Sequence, residues 1–257
     1  MRPLIVGSFT VVLGGIPLQS ARGAAGWASV ALHEDDGTRT LLDCGGRGDA
    51  LVLGRALEWL GVSPEQVDAI VLTHLHFDHA GGISLYPSAE IIVSEDEIEH
   101  ARRSREDPWR DPALAPGIAE ALEIRKARFV RDGDMIGRLS VVALPGHTPG
   151  SIGLVDPEGV LFAGDAVKNI EEMSIGAPRA ALDMRQAIES IARIRQASFG
   201  AVIPGHDRPF TVAADTVTPL APMRLELTLD TSDATGKPHA TATFDFGGDP
   251  SADDVAG

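Results

Sequence analysis

Apolar residues recur along the chain in short runs that alternate with amphipathic stretches, and the two patterns predict strands and helices. The runs of strand type are residues 4–13, 28–32, 40–42, 67–73, 91–93, 139–144, 151–155, 160–163 and 201–203. The helical stretches are residues 49–60, 94–104, 118–126 and 180–196. Strands that alternate with helices in this way predict an α/β protein whose sheets pack between helical layers.

Two of these helices carry more specific signals. Ser94 and Glu97 have the spacing of a capping box, which predicts the start of the second helix. The first helix is expected to bury one apolar face, made of Leu51, Val52, Ala56, Leu57 and Leu60.

The C-terminal part of the chain has a different pattern. Residues 223–230 and 239–246 alternate between apolar and polar positions, and turn-forming residues separate them. This arrangement predicts a β-hairpin, followed by an acidic tail after residue 247. We therefore expect a catalytic domain at residues 1–212 and a C-terminal hairpin with an acidic tail at residues 213–257. The hairpin at residues 223–246 is a candidate either to extend a sheet or to form a homodimer contact.

The composition of the chain argues against some classes of function. The 257 residues carry a formal net charge of −15, which argues against a nucleic-acid partner that requires a broad basic face. The apolar run at residues 4–18 is interrupted by glycine and proline, so it is predicted to form strands rather than a secretion signal. No apolar stretch approaches the roughly 20 residues of a membrane helix. We expect a cytoplasmic protein that acts on a small molecule.

Candidate chemistry is concentrated in loops that follow predicted strands. Residues 73–82 read THLHFDHAGG, in which alternation along an extended chain points His74 and His76 to the same side. The motifs PGHTPG at 145–150, AGD at 163–165 and PGH at 204–206 each add one imidazole or carboxylate. Such a set predicts a metal site. Seven nitrogen and oxygen ligands are too many for one tetrahedral ion but suit two ions that share a carboxylate. Zinc fits this ligand set best, and iron or manganese is an alternative.

With these motifs, and with Asp-Cys-Gly at 43–45, the chain resembles the metallo-β-lactamase fold superfamily of metallohydrolases over roughly residues 4–210. The resemblance implies a four-layer αβ/βα sandwich with the metals at one edge of its two sheets. It also implies that His74, His76 and His147 hold the first metal. Asp78, His79 and His206 would hold the second, and Asp165 would bridge both.

Metal chemistry then suggests a mechanism. Two cations lower the pKa of a bridging water from about 15.7 toward neutrality and so supply hydroxide. Asp78 would pass a proton to the leaving group. Asp43 is expected to accept a hydrogen bond from a ligand imidazole and fix its tautomer, with a simple turn role as the alternative.

The motifs are similar to those of quorum-quenching lactonases and glyoxalase II-type thioesterases, with two departures. Such lactonases have a tyrosine shortly after the bridging aspartate, but here Asp165 is followed by Ala-Val-Lys, and the only tyrosine is Tyr86. Glyoxalase II adds a basic helical domain where this chain has an acidic hairpin. We expect a dinuclear hydrolase of a lactone, thioester or carboxylic ester. The alternatives are a mononuclear iron persulfide dioxygenase and a non-catalytic binding protein in which the metals have only a structural role.

Substrate contacts are less well defined by the sequence. Lys168 and Arg179 are candidates for binding a substrate carboxylate, and Trp109 lies in a proline-rich connection that either forms a lid or packs on a helix. Cys44 is expected to be a small buried residue rather than a nucleophile. The histidines without motif context, expected at the surface, are His33, His100 and His239.

Overall fold

The computed structural model describes residues 3–20, 23–24, 26–103, 115–213, 216–232 and 238–246. Its strands are β1 (Leu4–Val6), β2 (Phe9–Leu13), β3 (Gln19–Ser20), β4 (Gly23–Ala24), β5 (Val30–Asp35), β6 (Thr38–Leu42), β7 (Ala69–Leu72), β8 (Glu90–Ser94), β9 (Arg128–Val130), β10 (Met135–Ile136), β11 (Leu139–Ala143), β12 (Ile152–Val155), β13 (Val160–Gly164), β14 (Ala201–Pro204), β15 (Phe210–Ala213), β16 (Thr216–Pro219), β17 (Met223–Ser232) and β18 (Pro238–Phe246). Its α-helices are α1 (Ala50–Trp59), α2 (Phe77–Ala80), α3 (Glu95–Arg103), α4 (Ala115–Ile124), α5 (Ile170–Ile175) and α6 (Met184–Ala197).

Two seven-stranded sheets form the body of the protein. The first has the order β1-β2-β5-β6-β7-β8-β9, and its strands from β6 to β9 are parallel. The second has the order β10-β11-β12-β13-β14-β15-β16, and β13 with β14 is its parallel pair. Each sheet is built from one continuous half of the chain.

The alternation of side chains along the strands explains why the molecule has four layers. In β7, Ile70 and Leu72 pack in the cluster that contains the apolar residues of α1, α3 and α4, whereas Val71 packs against the second sheet. In β13, Phe162 faces the first sheet and Leu161 faces α5 and α6. Three apolar clusters therefore separate helix, sheet, sheet and helix layers. The predicted αβ/βα sandwich is confirmed.

The N-terminal run at residues 4–13 is not one strand. Gly7 has a φ of +59°, and the chain reverses there, so Leu4 pairs with Val11 in a hairpin. A side chain at Gly7 would also overlap Asp156, whose carboxylate accepts a hydrogen bond from the backbone of Ser8 at 2.7 Å. Periodicity alone does not reveal such a turn, because both strands are equally apolar.

The predicted buried face of α1 is partly wrong. Leu53 and Leu57 are fully buried, whereas Leu51 and Val52 are 65% and 57% exposed. The helix begins at Ala50, after a 3₁₀ turn at Arg47–Asp49, which sets the rotation at which its face meets the sheet. Leu53 and Leu57, four residues apart, therefore form the contact stripe.

Other observed helix and strand boundaries also differ from the predicted ones. The helix expected from residue 180 begins at Met184, because the Asp183 side chain accepts from the Gln186 backbone as an N-cap. The short helix α5 and the strands β15 and β16 were not predicted, and the second sheet extends to Pro219. The division at residue 212 stays a prediction. The proline-rich connection with Trp109 lies outside the described residues.

The C-terminal hairpin is present. Strands β17 and β18 pair antiparallel from Met223 with Phe246 to Ser232 with Pro238, as a two-stranded sheet apart from the sandwich. Among the described residues, no helix combines the length and apolar character that crossing a membrane requires.

Candidate metal centre

The predicted ligands meet at one edge of the two sheets. His74 and His76 directly follow β7, and the single turn of α2 carries Asp78 and His79. The second sheet contributes the other three from loops after its strands: His147 follows β11, Asp165 follows β13 and His206 follows β14. Strands β13 and β14 are parallel, so their carboxyl ends lie at the same edge.

Three histidines form what we call the first triad: His74, His76 and His147. The Nδ1 atom of His76 lies 3.0 Å from Nε2 of His74 and 3.0 Å from Nε2 of His147. All three rings are buried, and their facing nitrogens lie within 4.8 Å of one another. This spacing allows three imidazole nitrogens to bind one ion.

A second triad consists of Asp78, His79 and His206. The Oδ2 atom of Asp78 lies 3.4 Å from Nε2 of His206 and 3.9 Å from Nε2 of His79. The other ring nitrogen of His206, Nδ1, is 3.0 Å from the carbonyl oxygen of Trp27. A carbonyl oxygen can only accept a hydrogen bond, so Nδ1 donates to it and Nε2 is left to face the triad.

Asp165 lies between the two triads. Its Oδ2 atom is 3.2 Å from Nε2 of His147, and its Oδ1 atom is 3.2 Å from Nε2 of both His79 and His206. Each oxygen of one buried carboxylate thus faces a different triad. Gly205 makes this position possible, because a Cβ there would lie 2.0 Å from Oδ1 of Asp165.

The polar atoms of the cluster fit a pair of metal ions. Among the described residues, Nε2 of His79 and Oδ1 of Asp165 are buried without an aligned hydrogen-bond partner, although they lie 3.2 Å apart. Buried polar atoms of native proteins are normally satisfied, and those left over call for an explanation such as an ion. Imidazole nitrogens and carboxylate oxygens are ordinary ligands of divalent metals.

Asp43 fixes the orientation of His79. Its Oδ2 atom is 2.7 Å from Nδ1 of His79 and accepts from the Thr73 hydroxyl at 2.8 Å, while Oδ1 accepts from the Thr73 backbone at 2.7 Å. A carboxylate can only accept, so Nδ1 of His79 carries the proton and Nε2 is left for a ligand. Complete burial raises the pKa of Asp43 despite these donors. Its φ of +56° is a backbone conformation that Asp and Asn tolerate.

Burial and neighbouring charges divide the imidazoles into two groups. Burial, with the surrounding histidines, holds the pKa of His74 and of His147 well below the ordinary value. Burial acts in the same direction on His79 and His206, but Asp165 and other carboxylates outweigh it and raise the pKa of both. Burial opposes ionisation of Asp165, yet His206, His79 and His147 hold its pKa well below the usual range. A lowered pKa favours the neutral imidazole of His74 and His147, which is the form that binds a metal ion.

Glu97 was not recognised as part of this region from the sequence. The capping-box spacing assigned it to the start of α3, which does begin at Glu95. Its carboxylate, however, accepts from the backbone of Leu75 at 3.0 Å and from the Thr148 hydroxyl at 2.7 Å. These partners belong to the two segments that carry the first triad. The sequence offered no separate signal for this contact, because the spacing of Ser94 and Glu97 is equally typical of a capping box.

The candidate substrate residues have partners elsewhere. The ammonium of Lys168 donates to the carbonyl of Ala180 at 2.9 Å and lies 3.3 Å from the buried carboxylate of Glu172. Arg179 is exposed and pairs with Glu171. A substrate role for either cation stays a prediction, as does that of Trp109.

The remaining expectations concern Cys44 and His33. Cys44 is fully buried, its thiol donates to the carbonyl of His79 at 3.2 Å, and burial raises its thiol pKa. It is a packing residue, as expected. The prediction that His33 lies at the surface is wrong, because it is only 4% exposed and packs on Phe9.

Comparison with known proteins agrees with this geometry. The model of the metallo-beta-lactamase superfamily matches residues 26–206, which is most of the chain. The chain belongs to the metallo-beta-lactamase superfamily. It is 32% identical to metallo-beta-lactamase domain-containing protein 1 of Mus musculus, over 82% of this chain and 77% of that protein. It is 31% identical to an N-acyl homoserine lactonase of Bacillus sp, over 54% of each chain.

A solved structure of AidC, a dizinc quorum-quenching lactonase in complex with a product, N-hexanoyl-L-homoserine, shares the fold. The TM-score is 0.63 at 19% identity, and the match covers 75% of this chain and 78% of AidC. By contrast, the match to the Bacillus N-acyl homoserine lactonase spans only about half the length of that protein. Superfamily membership together with the His/Asp cluster indicates a metal-dependent hydrolase with a divalent metal cofactor.

Proposed function

We propose that the protein is a dinuclear zinc hydrolase that cleaves a small ester-type bond in a lactone, thioester or carboxylic ester. The observation that carries this proposal is Asp165, whose two carboxylate oxygens face the two triads at 3.2 Å. A carboxylate in that position suits two ions held close together. One ion with three histidines would not require it.

The proposed roles follow from the contacts of each side chain. Two divalent ions, when bound, supply Lewis acidity and lower the pKa of water. His74, His76 and His147 would hold one ion, Asp78, His79 and His206 the other, and Asp165 both. Asp43 keeps the His79 proton on Nδ1. Asp78 would move a proton to the leaving oxygen or sulfur.

The ester-type substrate is supported by the similarity to the N-acyl homoserine lactonase of Bacillus sp. The net charge of −15 argues against a nucleic-acid substrate. Asp165 is not followed by the tyrosine of acyl-homoserine lactonases. We therefore place lactones beside thioesters and carboxylic esters, with no preference for acyl-homoserine lactones. Zinc is proposed because the ligands are imidazoles and carboxylates without thiolate.

The decisive experiment is the metal content per chain, measured by plasma mass spectrometry on protein purified without added metal. We expect about two zinc ions, as two ions sharing one carboxylate require. The same preparation is then screened for hydrolysis of lactones, thioesters and carboxylic esters. About one iron per chain would instead favour the persulfide dioxygenase. Two ions without turnover on any ester would favour a protein that uses its metals only structurally.

Variants test the assignment of ligands. His76→Ala should lower the metal content and abolish turnover, because its Nδ1 atom is at the centre of the first triad. Asp165→Ala should reduce the occupancy of both ions. The matched control is His100→Ala, which changes a histidine of α3 outside every ligand group. Normal binding of two ions by Asp165→Ala would contradict the bridging role.

A further inference from the structure

A buried glutamate of helix α3 contacts both loops of the first triad. Glu97 is 1% exposed, although it sits in the first turn of a helix whose other early acidic residues are accessible. Glutamates are rarely buried unless their carboxylate is fully engaged. The partners of this carboxylate therefore indicate what its burial achieves.

The two oxygens of Glu97 have separate partners. Oε1 accepts from the backbone N–H of Leu75 at 3.0 Å. Oε2 accepts from the Thr148 hydroxyl at 2.7 Å and from the backbone N–H of Gly150 at 3.2 Å. The Thr148 hydroxyl also lies 2.7 Å from the hydroxyl of Ser151, so the contact continues into the loop.

These partners are next to the three imidazoles in the chain. Leu75 is the residue between His74 and His76, and Thr148 directly follows His147. One carboxylate therefore joins the segment that carries two members of the first triad to the segment that carries the third.

Backbone packing at the same point is equally close. A Cβ at Gly150 would lie 2.1 Å from the backbone nitrogen of Glu97, so the loop after His147 rests directly on the first turn of α3. The distances within the triad depend on the relative position of these two segments. His76 Nδ1 and His147 Nε2, 3.0 Å apart, come from opposite sides of that contact.

We propose that Glu97 is a positioning residue that sets the geometry of the first metal site by holding the Leu75 and Thr148 segments together. The proposal rests on the metal-dependent function proposed above. It concerns a group that touches neither metal nor substrate. Residues that orient metal ligands typically change metal affinity about 10–100-fold when they are replaced.

The test is Glu97→Gln, which keeps the shape of the side chain. One amide oxygen can accept from Leu75 or from the Thr148 and Gly150 pair, but not from both sides. We expect Co²⁺ affinity at the first triad to fall about 10–100-fold, and the visible absorption of bound Co²⁺ to change. Measuring the variant in a His206→Ala background isolates the first triad, because the second triad is then incomplete.

The matched control is Glu95→Gln, two residues earlier on the same helix. Glu95 is partly exposed and pairs with Arg131 at the surface, so its loss should leave Co²⁺ affinity unchanged. Denaturant unfolding of the metal-free variants separates a change in metal site from a general loss of stability. If Glu97→Gln does not fold, Thr148→Val removes one donor, and Thr148→Ser restores it.

The outcomes separate this proposal from the proposed function. Glu97→Gln with wild-type Co²⁺ affinity and spectrum would overturn the positioning role, whatever the activity of the wild-type enzyme. A selective loss of affinity with unchanged metal-free stability supports it, even if no ester is hydrolysed. Failure of the wild-type protein to bind Co²⁺ would overturn both. If Thr148→Val and Thr148→Ser bind Co²⁺ equally well, the positioning role is also wrong.

Discussion

Replacing Asp43 by asparagine tests whether one buried carboxylate controls the tautomer of a metal ligand. The φ of +56° at Asp43 suits Asn as well as Asp, so the backbone is not strained by the change. If the amide oxygen keeps the bond from the Thr73 backbone, the amide nitrogen faces Nδ1 of His79. Two donors then meet where a donor and an acceptor met at 2.7 Å.

The conflict is resolved when His79 moves its proton from Nδ1 to Nε2, the nitrogen that faces the second triad and Asp165. A protonated nitrogen cannot bind a metal ion. We expect affinity at the second triad to fall about 10–100-fold, which corresponds to about 1.4–2.7 kcal/mol. The opposite amide orientation instead leaves the Thr73 N–H without an acceptor, at a cost of about 1–3 kcal/mol in stability.

The assay is competition for Zn²⁺ against a coloured chelator, which resolves a tight and a weak ion per chain. The matched control is Asp36→Asn, since Asp36 is also an aspartate with positive φ but is exposed in the turn between β5 and β6. At chelator concentrations at which the Asp36→Asn variant keeps two Zn²⁺ ions per chain, the Asp43→Asn variant should keep only one. Equal affinity of both variants for both ions would refute the tautomer argument.

Three further predictions concern packing around the centre and the C-terminus. Gly205→Ala should reduce turnover by about 100-fold, because the added Cβ would displace the Asp165 carboxylate. Gly48→Ala is the control, since a Cβ at Gly48 would meet no atom within 4 Å and turnover should be unchanged. Steady-state kinetics of the two variants check this prediction. Cys44 should resist thiol reagents in the native protein and react after denaturation; labelling at equal rates in both states would contradict its burial. Deletion of residues 223–246 should halve the mass found by light scattering if the hairpin forms the predicted homodimer contact, and an unchanged mass would remove that contact.

The grouping of the proposed ligands at one edge of the sheets could be predicted because these residues stand in dense or repeated motifs. His74, His76, Asp78 and His79 lie within six consecutive positions. His147 and His206 each follow a Pro-Gly pair. The strands bring these positions to one edge, so their order along the chain carried most of the spatial information.

Other features depend on three-dimensional contacts that have no local pattern. The rotation of α1, which buries Leu53 and exposes Leu51, is set by the turn before the helix and by the sheet beneath it. Glu97 was interpreted as a capping residue, because a glutamate three residues after a serine fits a capping box whether or not its carboxylate binds distant segments. The reversal at Gly7 and the strands after His206 were also missed, although both are local hairpins in which Leu4 pairs with Val11 and Phe210 with Pro219.

The two sheets come from separate halves of the chain, and the proposed ligands are divided between them. His74, His76, Asp78 and His79 belong to the first half, and His147, Asp165 and His206 to the second. Ions bound by residues of both halves would hold the halves together, because the complete sites form only when the halves are docked. Mass action then stabilises the docked form by about 2.7 kcal/mol when free metal is 100 times its dissociation constant. The fraction of the protein that is folded, and not only its activity, would therefore depend on the supply of metal around it.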